Sequence, residues 1–138
     1  MTVQDIQPDE YNPYYKTYID KVGDGDLLEL LYKRQEITTK FFKSLDESKY
    51  LYRYADGKWT PLEILQHIID TERIFYYRAL RFARMDATPL IGFEHNDYIN
   101  PSRANNKSMP QLIKEYDVER QHSLVLFQSL EEDVFSFK

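Results

Sequence analysis

The stretch KWTPLEILQHIIDTER, residues 58–73, decides the fold of this chain. Thr60 is followed by Pro61 and, three positions on, by Glu63. That is a capping box with proline at the first helical position, so a helix begins there. At about 100° per residue, Leu62, Leu65, Ile68 and Ile69 fall on one face. The face continues through Phe75, Tyr76, Ala79, Leu80 and Ala83, which predicts a helix to about Arg84, ended by TPLIGF. Two polar residues stand out within it. Glu72 falls in the middle of the apolar face and His67 at its edge.

Working outward, two further long helices have start signals of the same kind. Asp26 opens D-L-L-E, a capping box in which Glu29 folds back, and that helix runs to about Leu45. Ser108 opens S-M-P-Q, and its helix runs to about Leu130. Residues 11–22, YNPYYKTYIDKV, predict a short helix after Pro13, packed by its tyrosines, and residues 92–106 read as a loop with at most one helical turn. Nothing alternates with a period of two over a useful length. The expected fold is all-α: an antiparallel, up-down-type bundle of three long helices plus a short N-terminal helix, forming one domain over residues 1–138.

Composition narrows the function. There is no cysteine, which excludes disulfides, thiolate metal sites and cysteine nucleophiles. A net charge of −5 argues against a nucleic-acid partner, which would need a basic face. No signal peptide and no membrane-spanning apolar run is evident, so a soluble, cytoplasmic protein is expected. Twelve tyrosines and eight phenylalanines supply bulky packing and suit an aromatic-lined cavity.

Each long helix carries a charge near mid-length inside its apolar face. In the first helix the face is Leu27, Leu30, Leu31, Ile37, Phe41 and Leu45, with Arg34 among them. In the third it is Leu112, Ile113, Tyr116, Leu124, Phe127 and Leu130, with Arg120 and Ser123 inside it. Desolvating an unpaired charge costs several kcal/mol, so Glu72 is expected to meet Arg120 or Arg34. Such a pair could fix helix register or floor a polar cavity. The Arg78, Arg81 and Arg84 stripe suits a solvated face or an anion site.

From spacing alone, His67 reads as a structural residue at a helix flank, with Asp70 placed to orient its imidazole. A metal site generally needs three side-chain ligands, and no H-x-x-x-H or H-E-x-x-H occurs in the chain. His95 in its loop and His122 opposite the third helix's apolar face are expected to face solvent.

Taken together, residues 56–98 resemble the DinB/YfiT superfamily of four-helix bundle proteins. The resemblance rests on Trp59 just before the helix, His67 eight residues later, D-T-E-R, Y-R-A-L-R-x-A-R, and P-L-x-G-F in the loop. It extends over the chain through EYNPYYKTYIDKV, DLLELL, E-x-x-R and L-x-L-F-x-S-L. It implies that His67 is the first of three histidines holding a divalent metal, nickel, zinc or iron. Asp70, Glu72, Arg120, Arg34, Trp59 and Arg78 then become candidate pocket or supporting residues. It also implies thiol-dependent transfer, or else metal-assisted hydrolysis, of a small-molecule substrate, with a low-molecular-weight thiol as partner and a homodimeric assembly. The alternative is a non-catalytic bundle that binds a small molecule or a protein, with Glu72 and Arg120 as a structural pair. The other two family ligands lie in H-x-x-x-H on a fourth long helix. That helix is missing here, so a truncated chain is expected, with apolar Val134, Phe135 and Phe137 left without an element to pack on.

Overall fold

A computed structural model describes residues 1–131, 133 and 134; Phe135 and Phe137 lie outside them. Among the described residues the chain forms five α-helices and no strand: α1 (Lys16–Ile19), α2 (Leu27–Ser44), α3 (Pro61–Ala83), α4 (Asn96–Ser102) and α5 (Met109–Gln128). None is long and apolar enough to cross a membrane.

The three long helices begin where their caps place them. Thr60 Oγ1 accepts from the Glu63 amide at 3.2 Å while the Glu63 carboxylate accepts from the Thr60 amide at 2.8 Å. Ser108 and Gln111 form the same reciprocal pair. At α2 only half the expected box is made. Asp26 accepts from the Leu28 amide at 2.9 Å, but its other oxygen takes the Met1 ammonium at 2.9 Å, and no return bond from Glu29 forms.

α5 packs against both α2 and α3. Leu62, Leu65 and Ile69 of α3 meet Met109, Leu112, Ile113 and Tyr116 of α5, with Phe42 of α2 and Ala104 closing the core. The predicted apolar face of α2 needs correcting. Ile37 and Phe41 are 49% and 56% exposed. The packed face instead runs one position round, through Leu31, Gln35, Thr38, Thr39 and Phe42. Polar bonds stitch it to α5: Asp117 accepts from Gln35 Nε2 at 3.1 Å and from Thr39 Oγ1 at 2.9 Å.

The helix directions refine the expected up-down arrangement. Along α2 and α5, Thr39 faces Asp117, Gln35 faces Gln121 and Tyr32 faces Gln128, so these two helices run antiparallel. Along α3 and α5, Gln66 meets Lys107, Arg73 meets Glu115 and Tyr76 stacks on His122, so these two run parallel. The connection 84–108 therefore returns the chain to the start of α3 before α5 begins. It holds more helix than the sequence pattern predicts, because α4 buries Ile99 and the following 3-10 turn, Ala104–Asn106, buries Ala104. Arg103, at φ 50°, makes the left-handed step between the two. Asn105 fixes the return: it donates from Nδ2 to Glu63 at 2.8 Å and accepts from Thr60 Oγ1 at 2.6 Å.

Candidate functional site: an aromatic cleft around His67

Two hollows meet at His67. One, of about 760 Å³, lies between the N-terminal segment, α3 and α5. The other, of about 630 Å³, lies between α1, α3 and the segment carrying His95. They share Tyr15, His67, Thr71 and Phe75. The walls are aromatic because α3 turns a second stripe, Ile64, Thr71, Phe75, Arg78 and Phe82, away from the core. Phe75 is 45% exposed and meets Tyr15 edge-on at 6.4 Å.

The floor of the larger hollow is polar. Arg120 holds Glu72 with two bonds, Nε to Oε1 at 2.7 Å and Nη2 to Oε2 at 2.9 Å, and its Nη1 donates to the Leu31 carbonyl at 3.1 Å. Both side chains are only 12% exposed. One guanidinium thus ties α2, α3 and α5 together at mid-height. Its fork geometry matches the carboxylate in a way a point charge would not. Arg34 is not part of this arrangement. It is exposed and reaches across to the Lys21 and Val22 carbonyls, at 3.5 and 3.2 Å, anchoring the segment after α1.

His67 is half-buried. Burial, then the neighbouring His95, pushes its imidazole below the ordinary histidine value, which favours the neutral ring. The residue beside its Nδ1 is Thr71, with Oγ1 at 3.4 Å. Asp70, expected to orient the ring, is engaged elsewhere, accepting from Gln66 Nε2 at 2.9 Å and Arg73 Nη1 at 3.2 Å. Trp59 lies against the ring, centroid to centroid 4.8 Å.

The residue that spacing missed is His95. Its ring is 5.3 Å from that of His67 and 5.8 Å from Trp59, so it belongs to the cleft rather than to open solvent. Only the path of the connection 84–108 brings it there, and its local sequence carries no periodic signal for that. His122 is exposed as expected, although it stacks on Tyr76 at 4.0 Å. Arg78 donates to the Ile91 carbonyl at 3.1 Å and sits over Phe75 and Phe93. Arg81 is held by Asp86 at 2.7 Å and Thr88 O at 2.6 Å, so these two arginines bind the loop after α3 and do not form an open anion site.

A divalent ion of the expected kind would need neutral nitrogen donors. The described residues supply a neutral-leaning imidazole at His67 and a second ring beside it, but no cluster of three His, Cys, Asp or Glu. They fit part of such a centre. The family model of the DinB superfamily matches residues 30–137. No curated protein and no solved structure gives a significant match.

Proposed function

The chain belongs to the DinB superfamily, and from that premise we propose that it is a metal-dependent enzyme acting on a small molecule bound in the aromatic cleft. His67 would hold a divalent ion, nickel, zinc or iron. Such an ion supplies Lewis-acid polarisation, or lowers the pKa of a nucleophile bound to it. Thiol-dependent transfer is the first reaction class, with a low-molecular-weight thiol as co-substrate, and hydrolysis the second. Both come from family analogy, since a fold hosts many chemistries.

The single observation that carries the proposal is the placement of His67, a neutral-leaning imidazole where two aromatic hollows meet. The chain's own residues have clear parts in it. Tyr15 and Phe75 exclude water from one wall and offer flat apolar surface to a substrate. The Glu72–Arg120 pair, joined by two bonds, shapes the floor of the larger hollow.

A second reading is kept open by the same floor: a binding module whose ligand contacts the aromatic walls without chemistry. Metal content separates the two. The protein, expressed without an affinity tag and exposed to nickel, zinc or iron(II), is expected to retain about one ion per chain, lost in His67→Ala. No retained ion in the wild type would sink the enzyme reading and leave the binding module.

A further inference from the structure

We propose that His95 is a second imidazole ligand, so that His67 and His95 together form a two-nitrogen site for a divalent transition metal, backed by Trp59. The proposal rests on the assignment of His67 above and adds to it a residue from the connection 84–108.

Three observations carry it. The first is distance. An ion about 2.1 Å from one nitrogen of each ring lies about 3.2 Å from each ring centre, and a tetrahedral angle then sets the centres about 5.2 Å apart. The rings stand 5.3 Å apart, tilted by 52°. That separation admits one shared ion, and it also lies within the ordinary range of ring packing, as the 5.2 Å between Phe41 and Phe42 shows.

The second is the surroundings of the other nitrogens. A ligating histidine usually has its remaining ring N–H directed at an oxygen, which sets the tautomer and the ring orientation. His67 Nδ1 faces Thr71 Oγ1 at 3.4 Å, and His95 Nδ1 faces Glu94 Oε1 at 3.7 Å. In both rings Nε2 is the nitrogen left for a ligand. The distances are longer than good hydrogen bonds and would tighten once an ion fixed the rings.

The third is rigidity. Trp59 packs on both rings, at 4.8 and 5.8 Å, and is itself the residue before the buried cap Thr60. His95 is the residue immediately before α4, whose Ile99 is buried. Each imidazole is thus attached to an anchored element. Imidazole suits nickel, zinc and copper, and two such ligands leave positions free for other donors.

Trp59 is the chain's one tryptophan and lies against the site, so its fluorescence reports binding directly. Nickel(II) is titrated into the apo protein, into His67→Ala and His95→Ala, and into His122→Ala as a control for surface histidines. Circular dichroism confirms that each variant is folded. Saturable quenching is expected in the wild type and in His122→Ala, with affinity weakened by about tenfold or more in each of the other two. The cobalt(II) form is expected to show two hyperfine-shifted imidazole N–H resonances, with one lost in each of those variants. If His67→Ala loses the metal while His95→Ala keeps wild-type affinity and the full set of shifted resonances, the His95 proposal is overturned and the His67 assignment stands. If the wild type takes up no nickel, both fall. If His95→Ala does not fold, His95→Gln in the cobalt form decides the matter by the presence or absence of the second resonance.

Discussion

The two halves of α3 do different work. From Pro61 to Asp70 the helix is packed on several sides: Leu62, Leu65 and Ile69 are in the core, and even the polar Glu63 and Gln66 are buried, each with its partners. From Thr71 onward only Ala83 is buried, and Phe75, Tyr77 and Phe82 stand about half exposed. His67 sits where one regime gives way to the other. The contrast shows how a single amphipathic helix can spend one half on stability and the other on a cavity. Cavity walls need apolar groups held in place but left uncovered, and the packed half is what holds them.

The sharpest way to break this contrast is at the pair that ties the open half of α3 to α5. Arg120→Ala leaves the Glu72 carboxylate without its partner at 12% exposure. A loss of about 3–5 kcal/mol is expected in urea unfolding. Replacing both residues by leucine and methionine should restore most of it, because the unpaired charge is then gone. A double variant no more stable than the single one would mean that the packing of the site, and not its charge, holds the open half of α3 to α5.

Next comes the packed half. Leu65 is fully buried, so Leu65→Ala should cost about 3 kcal/mol. Thr60→Ala removes the cap and the bond to Asn105, for about 1–2 kcal/mol. In the open half, Phe75→Ala should cost under about 1 kcal/mol, because much of the ring already faces water. It should also weaken the binding of an aromatic probe in the cleft, read by displacement of a hydrophobic dye. A large stability loss at Phe75 together with unchanged dye binding would erase the division between the halves.

The smallest effect expected is a pH dependence between α3 and α5. Partial burial works against ionisation of Glu115, but Lys107 and Arg73 outweigh it and hold the carboxyl below its ordinary value of 4.5. A depressed carboxyl stabilises the fold above its unfolded pKa, and that contribution is lost as the pH falls through the folded value. Urea midpoints should therefore fall on acidification below about pH 4.5, with Glu115→Gln flattening that limb by under about 1 kcal/mol. An unchanged limb would show that the contact of Arg73 and Lys107 with Glu115 is energetically silent.

Much of this was legible in the order of residues. Thr60, Ser108 and Asp26 announce the helix starts because a cap is a contact within four residues of chain. Glu72 calls for a guanidinium partner because an apolar stripe cannot bury a lone charge, and of the two candidates, Arg120 and Arg34, the structure supplies Arg120. Such a meeting could be foreseen without the bundle's topology, since residues at mid-helix come together whether the helices run parallel or antiparallel. That same insensitivity is why the parallel run of α3 and α5 stayed hidden. The packed face of α2 was misplaced for a related reason. Ile37 and Phe41 satisfy the apolar period, but Gln35, Thr38 and Thr39 win the interface because α5 offers them Asp117 and Tyr116.

The sequence by itself determined the helical class, the starts of the three long helices, the need of Glu72 for a guanidinium partner and His67 as the residue to explain, all of which depend on neighbours a few positions apart. Only the tertiary structure decided that the connection 84–108 turns back to the start of α3. There it docks Asn105 on Thr60 and Glu63 and sets His95 beside His67. The reason is long-range: α4 and the turn Ala104–Asn106 both pack on α3, where Ile99 and Ala104 are buried, and no pattern within the connection itself names that surface.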